Sequence, residues 1–94
     1  MNTKSLTLKE NELIPFIDKY FREEALLEIS YNRVFIPGKI LFITHEDNET
    51  IITIQLKGQL LNQTVDININ NIIKEVVEIR HTYNDEELIL TIVD

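Results

Sequence analysis

The sequence predicts an α+β fold in which an N-terminal helix packs on a five- or six-stranded antiparallel small β-barrel. Alternation of apolar and polar residues from Ile52 to Lys57, and again from Val65 to Asn70, predicts strands with one buried face. The linkers between such segments are short and polar, which is typical of hairpin connections. At 94 residues the chain predicts a single domain over residues 1–94, with one hydrophobic core.

The predicted helix follows a capping-box spacing, with the Thr7 hydroxyl three residues before the Glu10 carboxylate. Pro15 is tolerated best near the first helical turn, because an interior proline removes a backbone hydrogen bond. We therefore expect a helix over residues 12–24 and a flexible N-terminus over residues 1–11. The helix carries an apolar stripe at helical spacing that would cover the core: Leu13, Phe16, Ile17, Tyr20 and Phe21.

The barrel is predicted to occupy residues 26–94. Its strands are expected at 26–31, 50–57, 64–69, 76–83 and 88–93, with a connection from Gly58 to Gln63 and one helical turn at 70–75. Two interpretations of the segment before residue 46 remain open. In the first, Pro37-Gly38 is a tight turn. In the second, which we favour, Asn32-Arg33 is the turn and Pro37-Gly38 bends a long second strand.

The last predicted strand is apolar on both faces, since Ile89, Thr91 and Val93 alternate with three further apolar residues. Such a strand is either central in the sheet or part of a subunit contact. Ile89, Thr91 and Val93 are therefore candidate residues for the interface of a homo-oligomer.

The net charge and the distribution of charged residues indicate which kinds of partner the protein can bind. The formal net charge is −7, and the lysines are scattered singly, which argues against direct nucleic-acid binding. Glu46, Asp47 and Glu49 cluster where a hairpin loop is expected. They are either a solvated turn or an acidic surface that binds a basic host protein.

The sequence has no cysteine and no apolar run that approaches the roughly 18 residues of a membrane span. These features predict a cytoplasmic protein that does not contact a membrane.

The inventory of catalytic residues is small. Ser5 and Ser30 are the only serines, and Gly38 and Gly58 are the only glycines, so nucleophile elbows and phosphate-binding glycine loops do not occur. His45 beside the acidic loop lacks the spacing of a metal-binding loop. We therefore predict a protein that is not an enzyme and that needs no metal or cofactor.

The few cations of the chain and the aromatic residues near them are the candidate ligand-binding residues. A nucleotide-like small ligand would need side chains that bind phosphate and rings that stack on a base. The candidates are Arg33, Arg80, His81, Lys39, Tyr31 and Tyr83. Alternatively, each arginine pairs with a glutamate across a strand, such as Glu28 or Glu78.

The segment from Tyr31 to Ile43, with its internal Pro-Gly, resembles the first turn and glycine-bent second strand of Sm-like and SH3-like small barrels. The segment from Val65 to Ile79 resembles their closing strand, helical turn and final strand. Among bacterial families the chain is similar to the YolD-like proteins of low-GC bacteria and their prophages. It departs from them in lacking a Tyr-Tyr-x-x-Gly hairpin and in adding the strand at 88–93.

That resemblance implies a tendency to oligomerise and a phage or DNA-repair context. The resulting hypothesis is a phage-associated binding protein of the anti-defence type, which sequesters a nucleotide-like ligand or engages a basic host protein. The alternative hypothesis is a structural or accessory subunit of a DNA-repair or regulatory assembly.

Overall fold

The computed structural model describes residues 1–58 and 63–94. In chain order its elements are β1 (Asn2–Lys9), α1 (Glu10–Tyr20), β2 (Leu26–Tyr31), β3 (Val34–Glu46), β4 (Glu49–Leu56), β5 (Thr64–Asn68), α2 (Ile69–Ile72), β6 (Val76–Tyr83) and β7 (Glu86–Val93). The predicted connection from Gly58 to Gln63 falls largely on residues 59–62, which lie outside the described ranges.

The seven strands form one sheet in the order β1-β7-β6-β2-β3-β4-β5. All pairs are antiparallel except β1 with β7, which run parallel with Asn2 opposite Glu86 and Lys9 opposite Val93. The prediction of an α+β domain is confirmed in its coarse form, since the domain is mostly β with two short helices, but the sheet has seven strands and not five or six. The prediction of a closed antiparallel barrel is wrong, because β1 and β5 are the two edges of an open sheet.

One face of the sheet, which we call the inner face, covers the hydrophobic core. Leu27, Ile29, Ile54, Ile79 and Leu90 lie on this face and are fully buried. The helix α1 packs against this core through Leu13 and Ile17, which are also fully buried. The expectation that an apolar helical stripe covers the core is therefore confirmed for these two residues.

The N-terminal prediction is corrected in two ways. Residues 2–9 form the strand β1 rather than a flexible segment, and α1 spans Glu10–Tyr20 rather than 12–24. The capping interaction lies two residues later than expected, because the Lys9 amide donates to the Glu12 carboxylate at 2.8 Å. Pro15 consequently lies in the interior of α1 and not in its first turn.

Three two-residue turns connect antiparallel strands, and their central residues all have positive φ angles, as type I′ hairpin turns require. These central pairs are Asn32-Arg33, Asp47-Asn48 and Asn84-Asp85. Asn32-Arg33 is therefore the turn between β2 and β3, as the favoured interpretation predicted. Pro37 and Gly38 lie within the long strand β3, where Gly38 is buried opposite Leu27 and Leu56.

The final strand β7 is a central strand, flanked by β1 and β6. Its residues Ile89, Thr91 and Val93 lie on the outer face, away from the buried Leu90 and Ile92. Because β1 covers the side of β7, an oligomer cannot form by pairing at the edge of β7. A contact through the outer-face side chains of these three residues stays a prediction.

Candidate functional site

A cavity of about 390 Å³ opens where the end of α1 meets β1, β6 and β7. Its lining includes Lys4 from β1, Tyr20 and Arg22 from the end of α1, and Tyr83 from β6. Lys4 and Tyr83 reach it because side chains alternate along a strand, and both lie on the inner-face positions of their strands. Glu86 of β7 also lines this cavity, so two cations and one carboxylate meet there.

His81 also lines this cavity and is 3% exposed. Its Nε2 atom accepts a hydrogen bond from the Arg22 amide at 3.0 Å, and its ring stacks on Phe21 with centroids 4.6 Å apart. Burial lowers the pKa of His81 to about 4, so the ring is neutral at pH 7. An unprotonated Nε2 is what the amide of Arg22 needs as an acceptor.

The Arg22 side chain caps the C-terminal end of α1. Its Nη1 atom donates to the carbonyl oxygens of Lys19 and Phe21, each at 3.2 Å. A cation at this position also complements the negative end of the helix dipole. Because the Arg22 amide is held by His81, the backbone fixes where the guanidinium group emerges beside the cavity.

The two tyrosines of the cavity remain accessible, since Tyr20 is 43% and Tyr83 is 38% exposed. Tyr20 packs on Phe16 with ring centroids 4.5 Å apart, and the Lys19 ammonium lies 5.3 Å from the Tyr20 centroid. These contacts restrict the Tyr20 ring while leaving part of its surface free to meet a ligand.

The structure separates the residues that were predicted to bind a ligand. His81 and Tyr83 line the cavity, whereas Tyr31 and Arg33 lie at the other end of the sheet, where Tyr31 is paired with Val76. Lys39 forms an ion pair with Glu24 at 3.3 Å. The six residues therefore do not form one site.

Arg80 lies on the outer face, where its Nε atom donates to Glu78 at 2.8 Å. This bond raises the pKa of Arg80, so its guanidinium remains charged and engaged. Arg80 therefore pairs with a glutamate, but the partner lies two residues away on the same strand β6 and not across a strand as the alternative role predicted. Arg80 also lines a second cavity of about 140 Å³ with Glu28 and Lys57, but pockets for small ligands usually exceed about 300 Å³.

A second polar cluster joins α1 to the β3–β4 hairpin. Asp18 Oδ1 lies 3.4 Å from His45 Nε2, and His45 Nδ1 lies 3.2 Å from the Thr50 hydroxyl. The order acid, histidine, hydroxyl is that of a nucleophilic relay, but Thr50 is only 3% exposed and a substrate cannot reach it. The Thr50 amide also donates to Asn70 Oδ1 at 2.8 Å, so the cluster ties three elements together.

The acidic loop residues Glu46, Asp47 and Glu49 lie at the turn between β3 and β4. Within residues 1–58 and 63–94, no group of three or more histidine, aspartate or glutamate side chains is arranged to hold a metal ion. The helices of these ranges are too short or too polar to traverse a lipid bilayer. Binding of a basic partner by the acidic loop stays a prediction.

The sequence reasoning missed Lys4, Tyr20, Arg22 and Glu86 as neighbours in one cavity. Tyr20 was assigned to the apolar stripe of the helix, and Lys4 to a flexible segment. The alternation of Lys4, Leu6 and Leu8 with polar residues was the available signal, because it places Lys4 on the same face as two core side chains.

Residues 4–91 match a protein family described as "Uncharacterized protein conserved in archaea (DUF2097)". The chain belongs to this archaeal family. No curated protein and no solved structure matches the chain.

Membership of an archaeal family corrects two predictions. The similarity to YolD-like proteins of low-GC bacteria and prophages is wrong, since the archaeal family accounts for nearly the whole chain. The hypothesis of a phage-associated anti-defence protein, and the DNA-repair alternative taken from the same resemblance, lose their basis with it. The order of residue classes was misleading because a bent strand and a single helical turn recur in many unrelated small sheets.

Proposed function

We propose that this chain is a non-enzymatic domain that binds a small anionic ligand carrying an aromatic ring, of the nucleotide class. The ligand would occupy the cavity lined by Lys4, Tyr20, Arg22 and Tyr83. The observation that carries the proposal is the convergence of two cations and two accessible tyrosines on one cavity of an otherwise acidic protein with net charge −7.

The chemistry of the cavity supports a ligand with two different parts. Guanidinium and ammonium groups bind phosphate through charge-assisted hydrogen bonds, and Arg22 and Lys4 supply one of each. Tyrosine rings stack on the faces of planar rings, and Tyr20 and Tyr83 remain partly exposed for this. The volume of about 390 Å³ falls within the usual range of about 300–1,000 Å³ for small-molecule sites.

The proposal of a non-enzymatic domain is supported by the interactions that His81, His45 and Thr50 already make. His81 Nε2 is occupied by the Arg22 amide, so it is not free to take a proton from a substrate. The Thr50 hydroxyl is enclosed beneath His45 and Asp18. Both histidines therefore have roles in holding elements together.

The direct test is a calorimetric or NMR titration with ADP, with adenosine and inorganic phosphate as probes of each half of the ligand. We expect ADP to bind at least about tenfold more tightly than either half, since both parts of the cavity are then used. Replacing a cation that makes a charge-assisted hydrogen bond removes about 1.5–3 kcal/mol, or at least about tenfold in affinity. Lys4→Gln and Arg22→Gln should each show this loss.

Arg33→Gln is the matched control, because Arg33 lies in the β2–β3 turn at the other end of the sheet. An equal loss of affinity in Arg33→Gln would show that general charge, and not the cavity, attracts the nucleotide. Failure of ADP to bind at millimolar concentration contradicts the ligand class, and release of phosphate from ADP contradicts the non-enzymatic assignment.

A further inference from the structure

The strand β1 is an edge of the sheet with eight residues and a partner on one side only. It pairs with β7 from Asn2 to Lys9 without a register shift. Within residues 1–58 and 63–94, its other side pairs with no strand. A long edge strand presents a row of backbone groups that can pair with another chain.

The hydrogen bonds at its two ends show which residues face that open side. The Asn2 amide donates to the Asp85 carbonyl at 3.0 Å, so Asn2 points toward β7. Successive residues of a strand point their backbone groups to opposite sides, so Thr3, Ser5 and Thr7 point away from β7. Lys9 follows the same alternation, because its amide donates to Glu12 and not to β7.

The middle of β1 lacks the features that usually protect an edge. The segment from Ser5 to Leu8 contains no charged residue and no proline. Ser5 and Thr7 are exposed, and they lie on the outer face, away from the core contacts of Leu6 and Leu8. The open side is therefore accessible as well as unpaired among the described residues.

We propose that β1 pairs antiparallel with β1 of a second copy of this chain, about a two-fold axis at Ser5. Ser5 then lies opposite Ser5 of the second copy. Thr3 of each copy lies opposite Thr7 of the other, so there are three opposed pairs. These three pairs use the residues whose backbone groups point outward and supply about six hydrogen bonds, two for each pair. Two sheets join into one, which is the isologous arrangement of a symmetric dimer.

The side chains of β1 fit a second copy, because the outward-pointing residues form a pattern that is symmetric about Ser5. Thr3, Ser5 and Thr7 all carry hydroxyl groups on the outer face. Cross-strand pairs of threonine and serine are favourable in antiparallel sheets. A strand of unrelated sequence would have no reason to match this symmetry.

The first test is the mass in solution, measured by light scattering over a range of concentrations. We expect a dimer of about twice 11.1 kDa. Ser5→Lys would place two ammonium groups face to face at the axis and should weaken dimerisation at least about tenfold. Ser5→Thr should leave the dimer intact, since it keeps the hydroxyl and the strand preference.

Thr64→Lys is the control for general charge, because Thr64 is exposed on β5, the opposite edge of the same sheet. This variant should remain dimeric. A monomeric wild-type protein at submillimolar concentration, a dimeric Ser5→Lys variant, or a dimer lost only in Thr64→Lys would each overturn the proposal.

A second measurement fixes the register. The chain has no cysteine, so Ser5→Cys gives a single site for a spin label. In the proposed register the two labelled residues are a directly opposite pair, with Cα atoms about 5.5 Å apart. Strong dipolar broadening is expected for Ser5→Cys but not for Thr64→Cys, and a sharp spectrum from a dimeric Ser5→Cys protein would contradict the register.

Discussion

His81 joins three parts of the molecule through one neutral ring. Its Nε2 atom holds the Arg22 amide, its face stacks on Phe21, and its position on β6 forms part of the cavity. Protonation would remove the acceptor and place a charge in a buried position. The residue therefore links the position of the α1–β2 connection to pH.

The pH dependence of stability follows from the lowered pKa. The folded-state pKa of about 4 lies below the ordinary value of 6.5, so the unfolded chain binds more protons between these values. The contribution of His81 is complete above pH 6.5 and is lost as the pH falls toward 4. The full shift corresponds to about 3 kcal/mol, and screening by solvent at the cavity reduces this to about 2 kcal/mol.

Chemical denaturation of the wild-type protein and of His81→Gln at several pH values measures this contribution. The glutamine keeps a hydrogen-bond acceptor but does not titrate, so the difference between the two proteins should shrink as the pH falls from 6.5 to 4. A difference that is constant over this range would show that His81 is charged in the folded protein or exposed to solvent.

Gly38 is required by close packing inside the sheet. A methyl group on its Cα would overlap the Ile54 side chain and the backbone oxygen of Gln55. We expect Gly38→Ala to lower the free energy of unfolding by about 3 kcal/mol, the upper part of the range for overpacked cores. Gly58→Ala, measured in the same denaturation experiment, meets no atom of residues 1–58 and 63–94 but must adopt a φ of +83°, so it should cost only about 1 kcal/mol.

At the scale of elements, α1 begins with a favourable cap and continues through an unfavourable residue. The Glu12 carboxylate accepts from the Lys9 amide at the start of the helix. Pro15 then removes the bond that residue 15 would donate to the carbonyl of Asn11. The buried contacts of Leu13 and Ile17 keep the helix in place despite this loss.

This arrangement predicts opposite effects for two exposed helix positions. Pro15→Ala should raise the free energy of unfolding by about 1–3 kcal/mol, because it restores a backbone bond and removes a steric conflict. Glu12→Ala should lower it by about 1 kcal/mol through loss of the cap. Urea denaturation measures both, and an unchanged or lower stability of Pro15→Ala would show that the helix is bent to fit the proline.

The sequence was sufficient to locate β2 and the strands from β4 to β7, because their alternation and the polar turns between them are local signals. The Asn32-Arg33 turn was also correctly favoured, since a bent β3 allows Gly38 to lie between two strands. The strand β1 was missed because its partner β7 is distant in sequence and its first half is entirely exposed. A capping-box pattern at Thr7 competed with the strand and gave a wrong start for the helix.

The cavity could not be predicted from the sequence, because it also requires strands that are distant in the chain to pair. It depends on Lys4 lying beside Leu88, which only the β1–β7 pairing provides, and on Arg22 emerging after α1. Side chains that are far apart in sequence meet through topology, and a single sequence carries no local signal for that.

At the scale of the whole molecule, β1 completes the core from the edge of the sheet. Leu6 and Leu8 pack against the buried cluster, although both are partly exposed. Leu8→Asp should therefore lower the free energy of unfolding by at least about 2 kcal/mol, because it places a charge against apolar side chains. Thermal denaturation of dilute protein measures this without a contribution from association.

Thr7→Asp is the matched comparison, since Thr7 is adjacent in sequence but exposed on the outer face. A surface substitution of this kind usually changes stability by no more than about 0.5 kcal/mol. Equal effects of the two substitutions would mean that β1 does not hold Leu8 against the core.

Because β1 pairs with β7, the first strand to be synthesised cannot join the sheet until the last strand has been made. Thr3 and Glu87, which are hydrogen-bonded neighbours, lie 84 positions apart in the chain. At a synthesis rate of about 5–20 residues per second, β1 leaves the ribosome roughly 4–17 seconds before its partner exists. The β2–β3–β4–β5 meander can form during that interval from contacts between consecutive strands, whereas β1 can pair only after β7 has been made.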